Sequence, residues 1–469
     1  MVILLPQKKR MLKKLFLILV LVTPLSMQVS RAGNQDSLTI RKMYAEALTN
    51  PVAYRNLEYL CTRIGGRLCG SVKAEEAVQY VRSLLLEMGL DSVFLQPVMV
   101  NHWDRGDKET ARVVSIKKGS MDLHVCALGT SIGTGTSGLT AEIVEVHNFD
   151  ELKVIGRSGI EGKIVFYNRP ADGSRINTFE SYGGSVDQRA RGAMQAARYG
   201  AVAVVVRSAT PAHDNFPHTG VQHYADSVKA IPAMAVSTND ADKLSSWLKD
   251  DPSLKLTMKM NCRQLPDVPS SNVIGEIKGS EHPEEVIVVG GHLDSWDLGE
   301  GAHDDGCGMI QSVEVLRLFK ALGIKPKHTI RAVAFMDEEI AQEGGKAYAD
   351  EAKRKPEKHI AAIEADRGGD TPWGFSIDAA NEQVDKIKSW KAYFSPYYLW
   401  SLEKGGSGVD IKDLKSQGVA LIGLVTDPQR YFDYHHSAND IFVNVNMREL
   451  ELGAAAMAEL VYLIDNFGL

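Results

Sequence analysis

Apolar residues along the chain form two kinds of pattern, helical stripes and short continuous runs. Between Ser71 and Met88 they recur at helical spacing, and Ser71 and Gly89 are suited to cap and to end that helix. Further helices are predicted over 185–199, from about 240, over 306–322 and over 447–466. Short apolar runs predict strands over 163–167, 201–206, 231–236, 286–289, 329–336, 360–363 and 419–425. Because strands and helices alternate, the sequence predicts an α/β fold with a doubly wound, mostly parallel sheet.

The pattern also predicts a division into domains. A second α/β unit begins near Gly138 and ends near Leu265, just before a joint that contains Pro266 and Pro269. We therefore expect residues 36–137 and 266–469 to form one domain, with residues 138–265 inserted into it.

The first thirty-two residues differ from the rest of the chain. Five basic residues between positions 8 and 14 precede an apolar run over 15–25, and Ser30 and Ala32 have the spacing of a signal peptidase site. A membrane anchor would also be apolar, but the run has only about half of the ~20 residues that a spanning helix needs. Residues 1–32 are thus predicted to be a signal peptide, and the protein to be secreted or periplasmic.

Composition excludes some partners. The net charge is −6 and no basic stripe is present, so the sequence gives no reason to expect nucleic-acid binding, or membrane binding after signal cleavage. Five cysteines without CxxC spacing do not predict a thiolate zinc site. Cys61 and Cys69 are close in sequence, and whether they form a disulfide stays open. The histidines over 213–223 lack the acid or cysteine spacing of a further zinc site.

Acids and histidines follow the predicted strands of the second half of the chain. Five separate segments supply them: 292–294, 304–305, 338–339, 366 and 435–436. Because the carboxyl ends of parallel strands lie at one edge of a sheet, we expect these side chains to meet there. Carboxylates gathered at one place repel one another unless cations hold them. Imidazole with carboxylate suits zinc, so the sequence predicts a zinc site, with enough ligands for two ions.

These segments resemble the co-catalytic zinc exopeptidases, a family that includes bacterial aminopeptidases and glutamate carboxypeptidases. The motifs, in order, are His292–Asp297, Gly301–Gly306, Glu338–Glu339, Glu364–Asp366 and His435–Asp440, with further likeness over 101–106 and 217–222. The resemblance covers nearly everything after the predicted signal peptide. It implies a zinc exopeptidase fold, and the inserted domain resembles a protease-associated domain.

The resemblance also implies a role for each site residue. Asp304 would bridge two Zn²⁺ ions per chain. His292 and Asp366 would hold one ion, and Glu339 and His436 the other, although His435 could take the place of His436. Glu338 would be the general base that takes a proton from the attacking water, and Asp294 would orient His292. His303 is interpreted as a pocket-wall residue, and Asp410 either borders the pocket or is a turn residue.

Within this family the likeness favours the secreted carboxypeptidases or dipeptidases over the aminopeptidases, which share the same metal chemistry. The expected substrate is a small peptide. The family usually has a glycine two residues after the paired glutamates, whereas here the next glycine is Gly344, so the shape of that loop is not predicted. A binding protein without catalysis and a transferase with a single zinc are competing hypotheses. Relatives often form homodimers, which the sequence neither shows nor excludes.

Overall fold

The computed structural model describes residues 35–469, so the predicted signal peptide lies outside the described residues. Two eight-stranded sheets organise this part of the chain. The strands are β1 (Ser92–Asp104), β2 (Thr110–Ser115), β3 (Gly119–Leu123), β4 (Val125–Ala127), β5 (Leu139–Val146), β6 (Ile164–Tyr167), β7 (Ala203–Arg207), β8 (Ala233–Val236), β9 (Lys255–Lys259), β10 (Arg263–Ile277), β11 (His282–His292), β12 (His328–Phe335), β13 (Lys358–Glu364), β14 (Pro372–Asp378), β15 (Ser401–Lys404) and β16 (Ala420–Thr426).

Helices cover both sheets. They are α1 (35–49), α2 (Val52–Tyr59), α3 (Val72–Glu87), α4 (Phe149–Ile160), α5 (Thr178–Gly183), α6 (Asp187–Arg198), α7 (Thr238–Asp250), α8 (Cys307–Ala321), α9 (Glu343–Arg354), α10 (Asn381–Ser389), α11 (Lys391–Phe394), α12 (Tyr431–Tyr434) and α13 (Met447–Phe467). Shorter helical turns span Leu60–Ile64, Ala302–Gly306, Ser395–Tyr397, Lys412–Gln417 and Phe442–Asn444.

The first sheet has the strand order β1-β10-β12-β11-β13-β16-β14-β15. Its four central strands, β12, β11, β13 and β16, run parallel, as the sequence predicts. The flanks are mixed, since β10 is antiparallel to β12 and β14 is antiparallel to β16. The central strands are buried on both faces, which explains their nearly continuous apolar sequence. Their carboxyl ends place one edge of this sheet beneath the candidate site.

Two long strands of the first sheet were not predicted. The expected joint at Pro266 and Pro269 lies inside β10, which pairs with β1 along most of its length. Proline interrupts a sheet least where a strand has a neighbour on one side only. The pairing of β10 with β12 starts at Val273, so both prolines lie where β10 has β1 as its one neighbour; Pro269 pairs with Met99, and Pro266 falls at the register shift between Leu265 and Val268. That prediction was therefore wrong.

The second sheet has the order β3-β2-β9-β5-β6-β7-β8-β4. Its strands β5 to β9 fall within the predicted insert at 138–265, but β2, β3 and β4 come earlier in the chain. They join because β2 pairs with β9, and β4 pairs with β8. A boundary drawn from sheet pairing therefore lies before Thr110 rather than at 138.

Local predictions agree with the structure at several elements. The side chain of Ser71 accepts a hydrogen bond from the Ala74 amide at 3.1 Å and caps α3. The helices α8 and α13 begin and end within a residue of the predicted bounds. All five cysteines are buried and free, so Cys61 and Cys69 are not bonded to each other. Within residues 35–469 no helix has the length and apolar character needed to cross a bilayer.

Candidate metal centre

His292 ends the central strand β11 and points into the edge of the first sheet. Its Nε2 lies 3.2 Å from Asp304 Oδ1, 3.6 Å from Asp366 Oδ1 and 3.8 Å from Glu338 Oε2. Its Nδ1 lies 2.9 Å from the backbone carbonyl of Asp294. A carbonyl can only accept, so Nδ1 carries a proton, and Nε2 is the ring nitrogen that faces the carboxylates.

Asp294 contacts His292 through its backbone carbonyl rather than through its carboxylate. Its carboxylate Oδ1 is 3.8 Å from His292 Nδ1, beyond a hydrogen bond, while its carbonyl makes the contact. The carboxylate instead accepts from the amides of Glu338 at 3.1 Å and Glu339 at 3.4 Å. Asp294 therefore connects the His292 segment with the turn that carries both glutamates.

Asp304 lies between the two histidine segments. The turn before α8 places it there, and its own amide and that of His303 donate to the buried carboxylate of Asp440. The neighbouring Asp305 faces away, where its carboxylate accepts from the amides of His292 and Gly308. Gly308 is needed at the start of α8, because a Cβ there would collide with the carbonyl oxygen of Ala365. This close packing holds the Asp304 turn against the strand end that carries Asp366.

His436 closes the other side of the centre. Its Nε2 lies 3.2 Å from Asp304 Oδ2 and 3.1 Å from Glu339 Oε2. Its backbone has a φ of 62°, a left-handed conformation that residues other than glycine rarely adopt and that is common at functional sites. His435 stacks on it with ring centroids 3.6 Å apart, and His435 Nε2 lies 3.7 Å from Asp304 Oδ2.

The arrangement fits metal ions. Asp304 Oδ2 and Glu339 Oε1 are buried and accept no hydrogen bond from any described residue of the chain. Two groups of ligand atoms lie within 4.8 Å of one another and share Asp304: His292 with Asp366, and His435 with His436. Glu339 reaches the second group through its contact with His436. Imidazole nitrogens and carboxylate oxygens are ligands that zinc prefers. Asp304 is positioned to serve both groups.

Electrostatics at the centre reflects the crowding of these groups. Burial would lower the pKa of His292, but its contacts with Asp304 and Asp366 raise it well above the ordinary value. Burial and the neighbouring charges of Asp366 and Glu339 raise the pKa of Glu338 well above its usual range. Burial, followed by repulsion from Asp304, raises the pKa of Glu339 to about 7. Without a cation, the centre thus holds protons that metal ions would displace.

The second sheet also contributes to the centre, which the sequence did not predict. The Thr219 amide donates to the carbonyl of His436 at 2.8 Å, and the Thr219 carbonyl lies 3.2 Å from His436 Nδ1. His218 Nδ1 lies 2.6 Å from the His435 carbonyl. Arg189, from α6, lies 3.2 Å from His436 Nδ1. The likeness over 217–222 was the only signal in the sequence, because these contacts depend on how the two sheets pack.

Two more residues that the sequence singled out are also buried near the centre. His303 Nδ1 accepts from the Gly369 amide, its ring stacks on Tyr434, and burial lowers its pKa to about 4. Asp410 is 2% exposed, and its carboxylate has no hydrogen-bond partner among residues 35–469. The structure therefore brings together every predicted ligand and the predicted base. The role of each stays a prediction.

Comparisons with known proteins agree with this geometry. The model of peptidase family M28 matches residues 272–461. Carboxypeptidase Q from Bos taurus is 34% identical over 412 residues, which are 88% of this chain and 85% of that protein. The crystal structure of a peptidase M28 precursor from Shewanella amazonensis has a TM-score of 0.88 and 32% identity, and the match covers 93% of this chain and 98% of that chain.

A more distant structure has the same fold. The zinc aminopeptidase of Bacillus subtilis has a TM-score of 0.62 at 20% identity, over 87% of this chain and 94% of that chain.

Proposed function

The chain belongs to peptidase family M28 and is a metallo-exopeptidase, and from this premise we propose that it uses two zinc ions to hydrolyse dipeptides or other short peptides, as a carboxypeptidase Q-like enzyme. The observation that carries the proposal is the position of Asp304. Its two oxygens face two histidines, each at 3.2 Å, which come from opposite sides of the centre. One bridging carboxylate between two imidazole-containing groups suits a pair of ions.

The ligands proposed for one ion are His292 and Asp366, and for the other Glu339 and His436, with Asp304 shared. When bound, the zinc ions supply Lewis acidity that polarises a carbonyl and makes water a stronger nucleophile. The remaining steps belong to the side chains around them. We also propose that residues 1–32 direct export, on the basis of their basic and apolar pattern alone.

Glu338 is the proposed general base. It lies on the turn that Asp294 fixes, with Oε2 at 3.8 Å from His292 Nε2, and so at the edge of the proposed ligand set. It takes a proton from the water as the water oxygen bonds to the scissile carbonyl carbon. It then gives that proton to the amine nitrogen as the carbon–nitrogen bond breaks, so the carboxylate is regenerated.

The proposal is tested with free dipeptides, N-blocked dipeptides and aminoacyl anilides, with and without zinc. For the zinc-loaded protein we expect cleavage of the peptides with a free carboxylate. Glu338→Gln should reduce kcat by about 10²- to 10⁴-fold, the usual contribution of a general base, while bound zinc stays the same. Glu343→Gln is the matched control, because this nearby glutamate is 43% exposed and pairs only with Lys346.

Three outcomes separate the competing functions. Efficient cleavage of anilides instead of N-blocked dipeptides would identify an aminopeptidase. One bound zinc per chain would contradict the two-ion centre. A folded, zinc-loaded protein that cleaves none of these substrates would contradict the peptidase proposal and favour a binding protein.

A further inference from the structure

A cleft of about 200 Å³ lies between the first sheet and the segment that leads into α5, and it is lined by Arg367, the residue that follows the proposed zinc ligand Asp366. Its wall also includes the aromatic side chains of Phe179, Trp373 and Trp400. The segment before α5 is held in place, because the Gln429 side chain donates to the Ile176 carbonyl at 2.5 Å. The cleft is thus a built feature of the packing between the two sheets.

Arg367 is the cationic residue of this cleft and has no carboxylate in hydrogen-bonding contact. Within residues 35–469 its guanidinium makes no hydrogen bond and no ion pair, although the charge of the neighbouring Asp366 acts on it, and its Cζ lies 5.0 Å from the centre of the Phe179 ring. By contrast, two buried arginines pair with carboxylates: Arg105 with Asp297 at 2.6 Å and Arg331 with Glu357 at 2.8 Å. A partly desolvated guanidinium without a partner is suited to bind an anion.

Two further buried arginines have no carboxylate partner, but they differ from Arg367. Arg67 donates to the carbonyls of Leu293 and Gly301, and Arg189 donates to the carbonyl of Thr219. Their guanidinium N–H groups therefore bind backbone carbonyls of the fold. Arg367 instead lines the cleft, and its guanidinium has no hydrogen-bond partner among residues 35–469.

The distance along the chain suits a small substrate. Arg367 directly follows Asp366, so their Cα atoms are about 3.8 Å apart. An extended dipeptide spans about 7 Å. Arg367 is thus the chain neighbour of a proposed zinc ligand, on a length scale comparable to that of a short peptide.

We propose that Arg367 binds a carboxylate of the peptide substrate, and that Trp373 and Trp400 pack against the residue that carries it. The inference rests on the proposed peptidase function and specifies which end of the substrate the enzyme holds. The two indoles lie 5.2 Å apart, and Trp400 is 63% exposed, so they offer an apolar wall at the mouth of the cleft. A guanidinium repels a free amino terminus, which disfavours an aminopeptidase. The carboxylate comes either from the C-terminus or from an acidic side chain.

The test compares Arg367→Gln and Arg367→Lys with the wild type on three matched N-blocked peptides: one with a free C-terminus, its amide, and an amide with an acidic last residue. We expect Arg367→Gln to reduce kcat/KM about 10- to 100-fold for a peptide with a carboxylate, mainly through KM, because an ionic hydrogen-bonding contact is lost. The neutral amide should be unaffected, and Arg367→Lys should keep part of the activity. Arg448→Gln, at an exposed position of α13, is the control.

The outcomes are distinct. Loss restricted to the free C-terminus supports the inference and identifies the C-terminal carboxylate, whereas loss restricted to the acidic amide supports it and identifies the side chain. Equal loss on all three peptides, or loss on none, overturns it. Binding of the same peptides to zinc-loaded Glu338→Gln protein separates this inference from the proposed function, since it needs no hydrolysis. If Glu338→Gln protein and the double variant with Arg367→Gln bind these peptides with equal affinity, the inference is overturned even if the wild type cleaves the peptides.

Discussion

The chain buries carboxylates in two regions whose surroundings differ. At the edge of the first sheet, Asp304 and Glu339 face each other across His436, and each has an oxygen without a hydrogen-bond partner among the described residues. In the helical region formed by α1, α2, α8 and α13, Glu314, Glu451 and Glu459 are equally buried. These three accept hydrogen bonds from Arg317, the Tyr54 amide and the Tyr44 hydroxyl, respectively, and Glu451 and Glu459 likewise keep one oxygen without a partner among the described residues. Their partners are therefore an arginine, an amide and a hydroxyl, rather than the imidazoles that face Asp304 and Glu339.

The difference shows how a buried acid can be made stable. A separate buried acid becomes neutral by keeping its proton, and burial accordingly raises the pKa of Glu314 to about 7 and that of Glu451 to about 8. At the sheet edge the acids are crowded around two imidazoles whose Nδ1 atoms face carbonyl oxygens. Several carboxylate oxygens and imidazole nitrogens converge there, so a cation can bind several of these groups at once. The first region suits metal binding, and the second suits protonation.

The largest expected effect is that of zinc removal, which should destabilise the metal centre at the sheet edge and leave the helical region nearly unaffected. At a free zinc concentration 1,000 times Kd, each bound ion stabilises the fold by about 4 kcal/mol, so chelation should lower Tm markedly. Asp304→Asn should reduce activity by at least about 10³-fold and bound zinc to less than one ion per chain, since both ligand groups share this residue. Thermal unfolding and metal analysis measure both effects. A Tm that is unchanged by chelation in wild-type protein would contradict the metal interpretation of this edge.

Glu451→Gln should change stability in the helical region without changing zinc content. The folded pKa is about 8, and the unfolded value is about 4.3, so the unfolded chain releases its proton first as pH rises. The stability that protonated Glu451 provides is therefore present below pH ~4.3 and is lost as pH rises through ~8. Glutamine keeps the acceptor for the Tyr54 amide and cannot ionise. We expect the variant to be more stable by about 4 kcal/mol at pH 8, and nearly equal to wild type below pH ~4.

Tm as a function of pH measures this effect, and Glu58→Gln on the exposed face of α2 is the control. If Glu451→Gln destabilises the protein equally at all pH values, this carboxylate is ionised in the fold, and the contrast between the two regions fails.

The sequence predicted the centre of the molecule better than its periphery. The strands β11, β13 and β16 are buried on both faces, so their apolar runs are visible without tertiary information. The acids and histidines that follow them meet because parallel strands end at one edge. By contrast, β1 and β10 contain prolines, β1 alternates between buried and exposed residues over part of its length, and the first nine residues of β10 are not buried, so their pairing with each other is not visible in the local sequence.

Contacts across the two sheets could not be predicted for a related reason. The approach of Thr219 and Arg189 to His436 joins residues more than 200 positions apart. The local pattern of residues carries no information about such pairs. It also does not show that Asp294 contacts His292 with its carbonyl rather than its carboxylate, because the two distances differ by only about one ångström. The residue types of the proposed ligands could therefore be predicted from the sequence, whereas the neighbouring groups that contact the two histidines could not.

Tyr44→Phe gives the smallest expected effect and tests the protonation of the helical region directly. The Tyr44 hydroxyl lies 2.8 Å from Glu459 Oε2, and the second carboxylate oxygen of Glu459 has no partner among the described residues. Burial raises the pKa of Glu459 well above its usual range and so favours a neutral pair, for which the loss of one hydrogen bond costs about 1 kcal/mol.

An ionised Glu459 would behave differently, because removal of its hydrogen-bond donor would leave a buried charge without a partner and cost about 3–5 kcal/mol. Tyr462→Phe is the matched control, since its hydroxyl donates at 2.9 Å to Asp36, which is near the surface. A loss close to that of the control means that this region stabilises its acids with protons. A loss several times larger would mean that buried carboxylates of this chain stay charged even where the fold supplies neither a histidine nor a metal ligand beside them.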